Sequence, residues 1–285
     1  MNSTADLKSP YCVLLSLKRD IMKKSPIFMT ICLAGAGLGS TLANADTIEV
    51  ISSGGFYSSM EKLIPLFEKQ TGHTVHLSSG SSMGASPTAI PNRLDRGERF
   101  DVVVLAAPEL NKLAEKGYVE PNSQSPLVNS SIGMAVPKGA PKPDISSAEK
   151  FEKVLLNAKH IGYSASASGT HLEKDVFPSF PPVEYKVISS KAEKVVGDRV
   201  AKRIAQAQFD IGFQQISEIK PFTGKYGQVE LVGPIPAPYQ KVTVFAAGIG
   251  KNSEHAKVAK ELIKFVKSPQ ATQIIEEQGL EQVKE

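Results

Sequence analysis

The sequence predicts an α/β fold with mostly parallel sheets, arranged as two lobes. Three observations carry this expectation. Strand-like and helix-like segments alternate along the chain. Phe100 to Ala107 is a nearly continuous apolar run of the kind buried on both faces of a parallel sheet. About 240 residues remain once a leader is set aside, which suits two cores better than one.

The leader reads as residues 1–45. Arg19, Lys23 and Lys24 precede an apolar stretch from Ile27 to Leu42, which ends in the small-x-small pattern Ala43-Asn44-Ala45. The stretch is shorter than the roughly 20 residues a bilayer needs, so cleavage after Ala45 is expected rather than an anchor. Met22 is expected to be the true start. Both cysteines, Cys12 and Cys32, lie in the leader, and Met29-Thr30-Ile31 lacks the pattern that precedes a lipidated cysteine. A soluble, cysteine-free periplasmic protein follows. Without these residues the 33 basic and 29 acidic side chains fall to 28 and 27, and no basic cluster or aromatic platform argues for nucleic acid.

Thr47 to Ile51 is expected as the first strand. The helix after it places Met60, Leu63, Ile64 and Phe67 on one face, with Ser58 and Glu61 as a capping box, Gly72 at its end and a kink at Pro65. Val75 and Leu77 mark the second strand. Ser86-Pro87 opens a helix that Pro91 interrupts, and a third helix runs from Pro108 to Gly117. Ile132 to Val136 begins a second series, with Ala148 to Leu156 as helix and Ile161 to Tyr163 as strand. Tyr185 to Ile188 reads as strand, Ala192 to Gln206 as a long helix, and Ile211 to Phe213 as strand. Gly233 to Tyr239, rich in proline, is an extended crossing segment. Lys241 to Ala247 is the last strand, and Val258, Ala259, Leu262, Ile263 and Val266 trace a helix face.

Four loops follow apolar runs and precede helix-like segments: SSGG at Ser52–Gly55, SSGSSMG at Ser78–Gly84, SASASGT at Ser164–Thr170 and FQQIS at Phe213–Ser217. Hydroxyls and unpaired N–H groups at helix starts favour an anion. Their recurrence points to a shared pocket for a small anionic ligand. Candidate contacts are Gly54, Gly55, Ser81, Ser82, Met83, Ser166, Ser168, Gly169, Gln214 and Gln215. No P-loop, GxGxxG, GxSxG or metal-ligand spacing is present, so no cofactor or metal is called for.

From Thr47 onward the chain resembles the periplasmic solute-binding proteins of the molybdate-binding type (type II). The resemblance is carried by the order strand-SSGG-helix, the SSMG loop, RLDRGERFDVVVLAA, the SASG loop, AEKVVGD and DIGFQQ. It implies two lobes joined by two crossing strands, residues 46–129 with 238–285 and residues 130–237, with the ligand in the cleft. It also implies a monomer. Gly55 stands where an oxyanion binder of that family has a serine, and Gln215 where a tyrosine is expected. The subset with SSMGASPTAIPNRLDRG, SASG and GFQQISE is similar to the periplasmic aconitate isomerases. That likeness implies allylic proton transfer on a tricarboxylate without a cofactor. Such chemistry needs carboxylate donors and one group that exchanges a proton near neutral pH.

For the proton carrier, His171 follows the SASG loop directly and titrates in the useful range, although it reads equally as a solvent-facing first-turn residue. Tyr163 and Glu218 stand behind it, the first as a strand-end packing residue otherwise, the second as a helix cap. Arg93 is a candidate carboxylate clamp or a solvated helix face, and Arg199 carries the same ambiguity. The alternative to an enzyme is the solute-binding component of an ABC transporter, handing a tricarboxylate or a molybdate-type oxyanion to a membrane permease.

Overall fold

The computed structural model describes residues 45–283. The expected leader, with Met22 and both cysteines, lies outside the described residues except for Ala45. A first series runs β1 (Thr47–Ser53), α1 (Gly54–Thr71), β2 (Thr74–Gly80), α2 (Ile90–Asp95), β3 (Val102–Ala106), α3 (Ala107–Glu115) and β4 (Ser125–Ser130). A second comprises β5 (Ile132–Pro137), α4 (Ala148–Asn157), β6 (Ile161–Ser164), α5 (Ala167–His171), α6 (Pro182–Ser189), β7 (Ala192–Val195), α7 (Val200–Ala205), β8 (Ile211–Gln215), α8 (Ile216–Ile219) and β9 (Val229–Pro234). The chain then returns through β10 (Thr243–Ile249), α9 (Ala256–Val266), α10 (Pro269–Glu277) and β11 (Leu280–Gln282).

These strands form two sheets, six-stranded β11-β4-β10-β3-β1-β2 and five-stranded β7-β6-β8-β5-β9. In the first, β1 to β4 share one direction and β10 and β11 oppose it; in the second, β5 alone is reversed. Most strands therefore run the same way, with antiparallel members where the chain crosses over. Each sheet is covered on both faces, which explains the apolar run at β3. Val102, Val104 and Ala106 pack with α1 and α9, while Val103 and Leu105 pack with α2 and α3. In the second sheet Ile132, Met134, Ile161 and Phe213 face α4 and α6, and Ala135 faces α7 and α8.

The two crossings, near Ser130 and between Pro234 and Thr243, are fastened to each other. Gln240 Nε2 donates to the Ile132 carbonyl at 2.9 Å and its Oε1 accepts from the Ile132 N–H at 2.8 Å. The second crossing is not extended throughout, because Tyr239 N–H closes a turn on the Pro236 carbonyl at 2.9 Å.

Several expectations need correction. Helix α1 begins at Gly54, so Ser58 lies inside it, buried and unpartnered, and the capping box does not form. The helix continues through Pro65 to the left-handed Gly72. Pro91 sits in the first turn of α2, where its missing N–H costs nothing, and so starts that helix instead of interrupting it. Residues 182–189 are helical, with Pro182 at the first turn, and Ala192–Val195 is a strand paired parallel to β6. Gly197, at φ 71°, separates that strand from the short α7, so the long helix expected there is two elements. Strand β4 carries Pro126, which is tolerated beside the register shift opposite Phe245 and Ala246.

Candidate active site

Loops at the C-terminal ends of β1, β2, β6, β7 and β8 enclose a cavity of about 470 Å³, where an α/β sheet conventionally holds its ligand. Gly54 comes from β1, residues 79–88 supply serines, a threonine and Met83, and Ser164 to Ser166 face them. Residues 197–202 and the pair Gln214 and Glu218 complete the wall. The two halves touch beside it: Thr170 Oγ1 donates to Met83 Sδ at 3.4 Å, and Ser217 Oγ donates to the Gly55 carbonyl at 2.6 Å. The two halves therefore meet at these points beside the cavity.

Glu218 dominates the chemistry. It lies in the first turn of α8, and its carboxyl is packed against the backbone of Gly54. A Cβ at Gly54 would fall 2.0 Å from Glu218 Oε1, so glycine is required for this approach. Burial pushes the Glu218 carboxyl from an ordinary 4.5 up to about 7. The positive charge of Arg199 and hydrogen bonds from the Gln214 side chain and the Gln215 N–H oppose that rise without cancelling it. The Gln215 bond is the Glu half of a capping box, so Glu218 caps a helix and faces the cavity at once. Gln214 is fixed in turn, its Oε1 accepting from the Ala201 N–H of α7 at 3.3 Å.

Donors for an anion surround this carboxyl. Helix α1 starts at the cavity wall with no side-chain cap from Ser53 and no acidic residue in its own first turn, so the positive end of its dipole lies at the cavity beside Glu218. Arg199 and Lys202 bring positive charge from the opposite half. The hydroxyls form an ordered rim: Ser81 Oγ donates to the Met83 carbonyl at 2.8 Å, Ser86 and Thr88 are joined at 2.8 Å, and Ser164 and Ser168 at 2.9 Å.

Of the candidate contacts, Gly54, Ser81, Met83, Ser166 and Gln214 line the cavity, as do Glu218 and Arg199. The others lie elsewhere. The missing side chain of Gly55 makes room for the Phe245 ring, 2.1 Å from where a Cβ would stand, and not for a ligand. Ser82 is buried and accepts from the Ala106 N–H at 3.2 Å. Ser168 and Gly169 support the loop from beneath, Gly169 N–H donating to Ser164 Oγ at 3.2 Å. Gln215 bridges the crossings, accepting from Ser130 Oγ at 2.7 Å and donating to Thr243 Oγ1 at 3.0 Å. Arg93 is spent on Glu98 at 2.6 Å, the Ser79 carbonyl at 3.1 Å and the Phe100 ring.

His171 is not among the residues that line the cavity. Its Nδ1 meets Asp175 at 2.7 Å and its Nε2 the Tyr239 carbonyl at 3.0 Å, so both ring nitrogens are engaged in holding α5 to the second crossing. Tyr163 packs edge-on against Phe177, its hydroxyl pushed further above its ordinary range by burial and by Glu173, which unsuits it to neutral-pH proton exchange. The contribution of residues 197–202 was hidden by reading that stretch as one helix. Its signal was the same as in the other loops, a short apolar run followed by Gly197-Asp198.

Two α/β halves that meet beside a cavity at their strand ends define a two-lobed solute-binding protein. The chain belongs to the family described as bacterial extracellular solute-binding protein, which it matches over residues 48–281. It is 37% identical over 262 residues to an aconitate isomerase of Pseudomonas sp., a similarity covering 90% of this chain and 98% of that one. Its fold is similar to the periplasmic molybdate-binding protein of Azotobacter vinelandii, with a TM-score of 0.63 and 23% identity over 84% of this chain and 99% of that one. It is also similar to the sulfate-binding protein of Mycobacterium tuberculosis H37Rv, with a TM-score of 0.66 and 17% identity over 84% and 87%.

Proposed function

We propose that this protein interconverts cis- and trans-aconitate by allylic proton transfer in the closed cleft. The observation that carries the reading is Glu218, a carboxyl in the cavity wall beside Gly54 that burial pushes up to about 7. Ionised, it takes a proton from the methylene beside one carboxylate. The electron pair left behind joins the double bond, and the negative charge spreads into the carboxylates, where the α1 N–H groups, the loop hydroxyls and the cations stabilise it. Returning the proton to the other allylic carbon shifts the double bond by one position. No atom is gained or lost, and the rebuilt alkene is cis or trans according to how the backbone was turned. The 37% identity to an aconitate isomerase supports the same reaction.

The receptor reading draws support from the fold, shared with molybdate- and sulfate-binding proteins. The Glu218 carboxyl favours the enzyme instead, since a receptor needs no proton-exchanging group in its wall and the isomerisation needs one. A monomer exported by a leader cleaved after Ala45 accompanies either reading, and a permease partner belongs to the receptor alone. Purified protein is to be incubated with cis-aconitate and the isomers separated by chromatography. Wild type is expected to form trans-aconitate, and Glu218→Gln to do so about 10²- to 10⁴-fold more slowly while still being stabilised by trans-aconitate in a melt. Binding without interconversion in the wild type would leave the receptor.

A further inference from the structure

The basic side chains at the start of α7 fall into two kinds. Lys202 and Arg203 are committed to Asp198, at 3.4 and 3.0 Å. Arg199, half-buried in the cavity wall, has no carboxylate within ion-pair distance among the described residues. Aromatic rings hold it instead, its guanidinium carbon lying 5.8 Å from the Tyr57 ring centroid and 6.0 Å from that of Phe222. Tyr57 belongs to α1 on the first sheet, whereas Arg199 and Phe222 belong to the second-sheet half. This contact therefore spans the two halves. Attraction to ring faces uses none of the guanidinium's N–H donors, which stay available for a bidentate carboxylate.

Building on the aconitate reading, we propose that Arg199 is the specificity-determining residue. It takes one carboxylate of a tricarboxylate in the closed cleft, and its contact with Tyr57 couples that recognition to closure. A cavity that already holds Glu218 cannot take a third carboxylate unpaired, because a desolvated charge without a partner is strongly disfavoured. A dicarboxylate lacking that group leaves Arg199 as it stands and gains nothing from it. Arg199 now pulls the Glu218 carboxyl toward its ionised form. A substrate carboxylate on the guanidinium cancels that pull, so the base strengthens once the correct ligand is seated.

Calorimetric titration with tricarballylate, a saturated tricarboxylate that cannot isomerise, and with methylenesuccinate, a dicarboxylate, tests this on wild type, Arg199→Met, Arg199→Lys and Tyr57→Ala. Wild type is expected to prefer tricarballylate. Arg199→Met is expected to bind it about 10- to 100-fold more weakly while its methylenesuccinate affinity stays within about threefold, and Arg199→Lys to recover part of the loss. Tyr57→Ala is expected to weaken tricarballylate more than methylenesuccinate. A merely structural role would lower both affinities together, and an unchanged ratio in Arg199→Met, or no preference in wild type, overturns the assignment while leaving the isomerase reading in place. Equal weakening of both ligands in Tyr57→Ala removes the coupling to closure. Wild type that binds molybdate but neither carboxylic acid overturns the function and this assignment together.

Discussion

Replacing Glu218 by glutamine should make the protein more stable and less active, with a stability gain that depends on pH. Burial raises this carboxyl from 4.5 to about 7, so between those values the folded state keeps a proton that the unfolded chain has released. Folding stability therefore falls as pH rises through that window. Below it both states are protonated and nothing is lost; above it the full penalty of burying the charge is present. A displacement of this size corresponds to about 3 kcal/mol. Glutamine keeps the shape and can still accept from the Gln215 N–H, but it never carries the charge. At pH 8 the variant should gain up to about 3 kcal/mol, a rise in Tm of roughly 6–12 °C for a chain of this size. At pH 4.5 the two proteins should melt together. Thermal melts followed by circular dichroism at both pH values make the comparison. A variant that melts no higher than wild type at pH 8, or one whose gain is equal at both pH values, would refute the reasoning from burial.

Three further outcomes follow from the same geometry. Gly54→Ala places a Cβ 2.0 Å from Glu218 Oε1; it should displace the carboxyl and depress kcat at least about tenfold at a cost of roughly 1–3 kcal/mol, read by turnover and melting together. Gly55→Ser restores the hydroxyl of an oxyanion binder, but the side chain meets the Phe245 ring 2.1 Å away. It should destabilise by roughly 1–3 kcal/mol in denaturant titration and confer no molybdate affinity by calorimetry. His171→Ala removes the contacts to Asp175 and the Tyr239 carbonyl; it should cost about 1–3 kcal/mol of stability while kcat stays within about twofold of wild type.

The architecture was legible where one residue pattern allows one structure. The run at β3 has apolar side chains on both faces and could only be a strand covered on both sides. The loops after β1, β6 and β8 were legible for the same reason, since each ends a strand and opens a helix, whereas the SSGSSMG loop reaches α2 only at Ile90. Short charged stretches were not. Glu184 to Val187 and Ala192 to Val195 are both brief and charged, and only the parallel pairing with β6 and the proline at position 182 decide which is strand and which is helix. The site was readable as a set of loops but not as a set of side chains. His171 and Glu218 each follow a cavity loop closely, and the chain alone does not say which one turns inward. That choice rests on contacts distant in sequence: Gly54 opens the space that Glu218 fills, while Asp175 and the Tyr239 carbonyl draw His171 away. The chain alone names Arg199 as a candidate but leaves it undecided between clamp and solvated helix face, since the rings beside it come from α1 and from the segment after α8.

The pH dependence of kcat/KM for aconitate interconversion tests the role of Glu218 most directly. A buried carboxylate acting as base predicts a rate that climbs with pH and levels off around a midpoint near 7, with that limb absent from the residual activity of Glu218→Gln. A profile already flat from pH 5.5 upward, or a limb that survives unchanged in the glutamine variant, would contradict it, because the proton would then be travelling on another group.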